Sequence, residues 1–560
     1  MSTIAQPVLA EAGHAAPRAV RRKVIFASSL GTMFEWYDFF LVGALAAELS
    51  RHFFSGVNPQ AAFIFTLLGF AAGFAVRPFG AIVFGRIGDV VGRKYTFIVT
   101  VALMGLATFV IGLLPSYASV GIAAPIAFII MRMLQGLALG GEYGGAVVYV
   151  AEHAENHIRG EATSWIQATA ALGLLLSLAV ILPTRALLGE VEFAAWGWRI
   201  PFLLSIILLA ISLWVRLNLN ESPEFQRMKD EGRTSKAPLT EAFGQWKNAK
   251  LVLISLFGMV MGQAVVWYAG QFYSMFFLTQ TLKVDGGTAN ALVIAATIIT
   301  TPLYVVFGKL SDKIGRKPVF MTGCALAAVF FFPLFQALTH YANPALANAQ
   351  KSAPIVVQAD PAECGFQFNP TGTAKFTSSC DIARSVVTRS GLNYSDAAAP
   401  AGSVATIKIG DTRIASYNGQ DADAATKAKA LSDTFNSALK AHGYSIGAAD
   451  TAQINKPMTI LVLVLLMTFG TMTYGPIAAM LVELFPTRIR YTAMSLPYHL
   501  GIGWFGGFLP ATVFAISAST GNIYSGLWYP VILAGLCFVI CLVLVKETRG
   551  VDIYSASKRA

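Results

Sequence analysis

Most of this chain is divided into apolar runs of about 20 residues, the length a helix needs to cross a bilayer. They fall near 24–47, 61–84, 95–114, 121–149, 162–183, 199–219, 251–279, 288–308, 318–339, 457–481, 491–517 and 526–545. Twelve such runs leave little of the chain for a water-soluble core. Composition agrees: 55% of the 560 residues are hydrophobic and 13% are charged, against roughly 25% charged in a soluble domain. The expected fold class is an all-α membrane protein of twelve transmembrane helices, here called spans one to twelve.

Charge sorts the connections. The net charge of +11 is spread over short turns rather than gathered on one face, so it reads as membrane orientation and not as nucleic-acid binding. One side collects Arg18 to Lys23, Arg86, Arg93, Lys94, Arg159, the cations of 227–250, Lys309 to Lys317, Arg488, Arg490, Lys546, Arg549, Lys558 and Arg559. The other side's short loops hold little beyond Arg51, Arg185 and Lys283. The positive-inside rule then puts both termini in the cytoplasm of a bacterial inner membrane. The first run lacks a small-residue cleavage site after it and is read as a span, not a secretory signal.

The expected organisation is a cytoplasmic tail at 1–23, a six-helix half at 24–219 and a cytoplasmic linker at 220–250. Helices seven to nine follow at 251–339 and an outward-facing, periplasmic insert at 340–456. Helices ten to twelve fill 457–545 and a cytoplasmic tail 546–560. The insert reads as a small folded or partly disordered segment, with a strand at Val404–Ile409 and a helix-like run at Ala422–His442. Facing an oxidising compartment, Cys364 and Cys380 are candidates for a disulfide. Cys324, Cys537 and Cys541 fall in apolar runs and read as packing residues.

The chain also repeats itself. Gly85-Arg-Ile-Gly-Asp89-Val-Val-Gly92-Arg93-Lys94 recurs as Gly308-Lys-Leu-Ser-Asp312-Lys-Ile-Gly315-Arg316-Lys317. The first copy joins spans two and three, the second spans eight and nine. A weaker echo sets Glu221-Ser-Pro-Glu-Phe225 after span six against Lys546-Glu-Thr-Arg-Gly550 after span twelve. Two six-helix halves of equivalent topology follow, a parallel repeat about an axis along the membrane normal.

This doubled loop resembles the hallmark loop of the major facilitator superfamily. Glu35-Trp36-Tyr37-Asp38-Phe39-Phe40, Arg77-Pro78-Phe79-Gly80, Arg132-Met-Leu-Gln135-Gly136 and Gly140-Gly141-Glu142-Tyr143 are similar to motifs of its metabolite:proton symporter family. So are Trp196-Gly197-Trp198-Arg199-Ile200-Pro201-Phe202 and Glu483-Leu-Phe-Pro486-Thr487-Arg488. The resemblance spans roughly 24–339 and 457–550. It implies a major facilitator fold, alternating access and a small solute; members carry shikimate, 2-oxoglutarate, citrate, or proline and betaine.

Intramembrane charge is the sharpest chemical signal, because an ionisable group in the bilayer needs a partner or a wet cavity. Asp38, Glu35 and Glu142 are candidate proton-coupling groups: burial favours the neutral carboxyl, and an engaged arginine favours the carboxylate. The alternative is a permanent Glu–Arg pair that fixes packing. Arg132 and Arg77 are candidate substrate anchors, since a guanidinium grips a carboxylate bidentately. Tyr37, Gln135 and Tyr143, within the quoted motifs, and Trp267 and Gln271, one turn apart on span seven, complete the candidate substrate contacts. His499 is either a proton relay or a histidine bonded to a neighbouring helix. Asp89, Arg93, Lys94, Asp312, Arg316 and Lys317 are expected to form an inner gate.

The resulting expectation is a proton-coupled importer of a small organic acid, working as a monomer with protons and lipid as its other partners. A symporter of a zwitterion such as betaine or proline is the nearest alternative; an exporter and a receptor acting through the insert lie further off. No phosphate loop, paired Cys-x-x-Cys or His-Glu-x-x-His motif occurs in the sequence, so no nucleotide, cofactor, metal or enzymatic activity is expected.

Overall fold

The computed structural model describes residues 18–56, 59–218, 221–232, 234–365, 376–444 and 447–553. Residues 1–17 and 554–560 of the expected tails, with Arg233, Lys558 and Arg559, lie outside the described residues. Ten helices among the described residues are long and apolar enough to cross a membrane, and they coincide with expected spans three to twelve. They run Arg93–Leu113, Ala123–His153, Asn156–Gly197, Arg199–Leu217, Trp246–Thr281, Gly286–Ile314, Arg316–Ala342, Lys456–Leu484, Thr487–Ser517 and Ser525–Leu544. Arg18–Ala44, of 27 residues, and Pro59–Val90, of 32, take the places of spans one and two. The chain is thus a multi-pass membrane protein.

Several spans outrun their apolar runs because the hydrophobic signal marks only what lipid sees. Span five continues past Pro183 and turns at Gly189, whose φ is 77°. Span seven contains three wider turns, at Leu256–Val260, Ala269–Tyr273 and Phe277–Thr281, and span eleven has another at Gly501–Gly507, just beyond Pro497. Such turns rotate the side chains that follow onto a new face. The two halves meet where span two packs on span eleven and span five on span eight, pairs that the sequence repeat relates to each other.

The insert leaves span nine at Asn343, whose side chain caps the helix Pro344–Ser352. Four strands follow: β1 Ile355–Ala359, β2 Tyr394–Ala398, β3 Thr406–Ile409 and β4 Thr412–Ala415. Their order is β2-β1-β3-β4. β1 runs parallel to β2, with Ile355 opposite Tyr394, through a crossover helix Ser379–Arg389. It runs antiparallel to β3, and β3–β4 is a tight hairpin. Alternation along β1 turns Ile355, Val357 and Ala359 inward, where they join Ile407 and Ile409 in the core. The strand expected at 404–409 starts two residues later, and the helix expected at 422–442 is Ala424–Ala441.

Among the described residues, every backbone tie of the insert to the bundle goes to the C-terminal half. Tyr394 N donates to Gly521 O at 2.7 Å, Ala449 N to Lys283 O at 2.8 Å and Asn455 N to Tyr341 O at 2.9 Å. Asn393 Oδ1 accepts from Ile523 N at 2.7 Å. Cys364 and Cys380 are joined by a disulfide, with Cα atoms 5.2 Å apart. A bridge across 16 residues contributes about 3 kcal/mol in the chain-entropy model. Cys364→Ser in the full-length protein is therefore expected to make the insert, but not the bundle, more susceptible to protease. Reductant should reproduce that pattern in the unsubstituted chain.

Candidate functional site

The repeated loops become a two-fold set of contacts at one end of the bundle. Gly92 and Gly315 take φ values of 142° and 112°, a backbone that side chains avoid. A Cβ would also fall 2.4 Å from Glu221 Oε2 in the first case and 2.6 Å from Glu547 Oε2 in the second. Each of these glutamates caps the helix that follows its glycine: Glu221 accepts from Lys94 N at 3.1 Å and Glu547 from Lys317 N at 3.0 Å. The weak echo after spans six and twelve is a matched pair of carboxylates on helix N-termini.

Asp89 and Asp312 reach across to the opposite half. Asp89 accepts from Thr492 N, in the first turn of span eleven, at 2.8 Å. Asp312 accepts from Gly160 N at 2.9 Å and Glu161 N at 2.7 Å, where span five begins. Arg93 lies 3.5 Å from Asp89 and 3.7 Å from Glu152; Arg316 lies 2.5 Å from Asp312 and 3.1 Å from Glu483. The glutamates then pair across the divide, Glu152 with Arg490 at 3.0 Å and Glu483 with Arg159 at 2.9 Å. Each half supplies two acids and two bases, nearly all fully buried.

Lys94 and Lys317, expected in this gate, do not cross between halves. Lys94 Nζ donates to Leu217 O at 3.0 Å, and Lys317 Nζ to Leu542 O and Val545 O at 2.8 Å. A point charge on a long stem suits the C-terminal carbonyls of spans six and twelve. Sequence reasoning assigned Arg159 and Arg490 to membrane orientation and gave no role to Glu152; the signal available was an Arg seven residues after a Glu in both halves, at Glu152/Arg159 and Glu483/Arg490.

Midway along the bundle, span four presents Gly136 and Gly140 one turn apart to span two. A Cβ at Gly136 would fall 2.1 Å from Gly73 O, and one at Gly140 would fall 2.2 Å from Arg77 O. This close packing brings Arg77 and Arg132 together about Phe39 of span one, at 4.6 and 5.4 Å from its ring centroid. Arg77 also lies 4.3 Å over Phe74. Arg132 Nη1 donates to Gln135 Oε1 at 2.5 Å, and Gln135 Nε2 to Thr108 Oγ1 at 2.7 Å. Nε and Nη2 of Arg77 have no hydrogen-bond partner among the described residues. Neither does Asp38 Oδ1, and neither ring nitrogen of the buried His499 has one.

Around this centre lie the other candidates. Tyr143 stacks on Tyr498 of the opposite half at 3.5 Å and accepts from Gln167 Nε2 at 2.7 Å. Trp267 Nε1 donates to Tyr304 Oη at 2.6 Å, and Gln271 Nε2 to Thr297 Oγ1 at 3.0 Å. One of these readings needs correction. Tyr37 does not face the centre: its hydroxyl donates to Pro201 O at 2.7 Å, and its ring packs with Trp198 and Phe202. Successive helical residues differ by about 100°, so Trp36 and Asp38 can face elsewhere. Glu35 and Glu142 take up the Glu–Arg pairing that was the alternative to a proton site, with an arginine the sequence reading did not name. Both meet Arg216 of span six, whose Nη2 is 3.3 Å from Glu35 Oε1 and 2.6 Å from Glu142 Oε1. Arg216 was missed, although an arginine inside Trp214-Val-Arg216-Leu217 is itself an intramembrane charge.

A family model described as sugar (and other) transporter matches residues 23–250 and 438–559. The chain belongs to that family. A second model, MFS/sugar transport protein, matches 145–357. A proline/betaine transporter of Salmonella typhimurium (strain LT2) is 36% identical over 324 residues, 56% of this chain and 64% of that protein. The chain thus spans less than two thirds of the length of the Salmonella and Escherichia coli proline/betaine transporters. A shikimate transporter of Escherichia coli (strain K12) is 34% identical over 57% of this chain and 72% of its own length. A solved proton:xylose symporter of the major facilitator superfamily aligns with a TM-score of 0.59, covering 97% of this chain and 99% of that one at 16% identity. A human organic anion transporter aligns with a TM-score of 0.54, covering 94% and 100% at 14% identity. The fold is that of the major facilitator superfamily.

Removing one partner of a buried ion pair costs about 3–5 kcal/mol, because the other charge is stranded. Glu152→Gln with Glu483→Gln is therefore expected to open the charged end of this family member. A Ser495→Cys probe, buried between the halves there, should react with a membrane-impermeant maleimide at least ~10-fold faster in the double variant. An unchanged labelling rate would remove the network from gating.

Proposed function

We propose that the protein is a proton-coupled symporter that imports a small organic acid by alternating access of its two halves. The observation that carries this reading is the pair of buried guanidinium groups, Arg77 and Arg132, flanking Phe39 at the centre of the bundle. Two cations side by side in a low-dielectric site favour an anion, and a carboxylate matches the guanidinium fork. Asp38, in the same helix as Phe39, takes the coupling proton. Substrate bound to the arginines removes their pull on that carboxyl, so proton and anion enter together. The names of the relatives are compatible with solutes of this size.

The charged end is the cytoplasmic end in this reading, following the basic residues. Both termini and the 220–250 linker lie in the cytoplasm of a bacterial cell, the insert 340–456 lies in the periplasm, and the monomer is the working unit.

A zwitterionic osmolyte is the second reading, and an aromatic cluster favours it. Trp36 lies 5.6 Å from Phe40 and 6.5 Å from Trp267 of the other half, and Phe40 lies 5.8 Å from Phe272. Aromatic faces hold a quaternary ammonium while the arginines hold its carboxylate.

Uptake by proteoliposomes under an inward proton gradient tests both, with labelled dicarboxylates, tricarboxylates, aromatic hydroxy acids, betaine and proline. Retention of an acid that a protonophore abolishes supports the first reading; retention of betaine or proline supports the second. Asp38→Asn is expected to abolish accumulation while preserving exchange of internal for external solute; full accumulation would remove Asp38 from coupling. Arg132→Lys is expected to raise the apparent KM, because a point charge replaces a bidentate fork. Unchanged kinetics would assign Arg132 to packing.

A further inference from the structure

The Glu35–Glu142–Arg216 cluster joins three helices of one half at a buried point. Glu35 comes from span one, Glu142 from span four and Arg216 from span six, and each is no more than 3% exposed. Thr100 Oγ1 donates to Glu142 Oε2 at 3.2 Å, and Arg216 Nη1 donates to Phe97 O at 3.2 Å. Phe97 covers the guanidinium at 3.4 Å from ring centroid to Cζ. Gly31 makes room for it, since a Cβ there would fall 2.3 Å from Arg216 Nη2. Glu35 Oε2 has no hydrogen-bond partner among the described residues. Fully ionised, the cluster carries two negative charges against one positive. A single proton on either carboxylate brings it to neutrality, which is the state that a dry site favours.

A side chain from the opposite half reaches the residue next to Glu142. Tyr491 of span eleven is fully buried, and its hydroxyl donates to Gly141 O, one residue before Glu142. Its ring sits in a socket that side chains would fill. A Cβ at Gly88 would fall 2.1 Å from ring atom Cδ1, one at Gly144 2.7 Å from Cε2, and one at Gly145 2.7 Å from the hydroxyl. Tyr491 stands within electrostatic reach of Glu142, Glu35, Asp89 and Arg93. Its two chain neighbours are latch residues, Arg490 on Glu152 and Thr492 on Asp89.

We propose that Tyr491 is the cytoplasmic stopper of a proton site shared by Glu35, Glu142 and Arg216. The proposal rests on the symport reading and extends it with a second proton station below Asp38. With the latch shut, the ring keeps water from the carboxyl and the proton stays. With the latch open, the glycine socket empties toward the cytoplasm. The carboxyl O–H bond then breaks, water takes the proton, and the carboxylate left behind remains paired with Arg216.

The test is substrate-free proton flux. The full chain is reconstituted in liposomes loaded with a pH-sensitive dye, and a proton gradient is imposed with valinomycin to carry balancing charge. Tyr491→Ala is expected to raise the passive flux by about tenfold or more over the unsubstituted protein. Adding Glu35→Gln and Glu142→Gln to that variant is expected to return the flux to its starting value. Gly144→Ala attacks the socket from the other half and should leak in the same way, which covers the case in which Tyr491→Ala does not fold. Folded stopper variants with unsubstituted-protein flux would overturn the stopper. A leak that survives loss of both carboxylates would overturn the proton site. No solute is present, so either result stands apart from whether an organic acid is the cargo.

Discussion

A helix that begins inside a membrane protein has backbone N–H groups that water cannot reach, and something else must accept from them. Here the acceptors come from the opposite half. Asp89 closes the start of span eleven and Asp312 the start of span five. The two halves are therefore joined by contacts that each needs in order to terminate its own helices. Arg93 and Arg316 hold the aspartates in place, and Glu152 and Glu483 tie those arginines to Arg490 and Arg159. Parting the halves here would uncover five helix-capping and ion-pair contacts together, and water at the opened end would solvate them together.

Much of this was legible in the sequence, for a physical reason. Spanning helices need long apolar runs, so their number and order could be read directly; their ends could not, because polar residues inside the bundle continue a helix without continuing the hydrophobic signal. The doubled loop was legible because Gly92 and Gly315 are fixed by backbone conformation and Asp89 and Asp312 by helix capping. Lys94 and Lys317 carried the same repeat but a different job, which only the carbonyls at the ends of spans six and twelve reveal. Tyr37 was misplaced because membership of a motif says nothing about which face a residue takes. Arg216 was overlooked because a single charge near the end of an apolar run reads as a boundary. In the insert only one of the four strands was read from the sequence, although all four are of similar length, four or five residues.

The remaining charges differ in how completely they are satisfied, and the difference follows position along the helices. At the charged end nearly every ionised group has an opposite partner. Midway, the glycine face of span four forces Arg132 against the helix that carries Arg77, and both guanidinium groups lie against Phe39. A core built only for stability would not gather two guanidinium groups about one ring, nor bury Asp38 Oδ1 without a hydrogen-bond partner among the described residues. The same glycine face runs on past Gly140 to Gly144, where it receives Tyr491 instead of a helix backbone. One surface of span four thus sets both the electropositive centre and the contact between the halves, so any displacement of one half against the other would also disturb the centre.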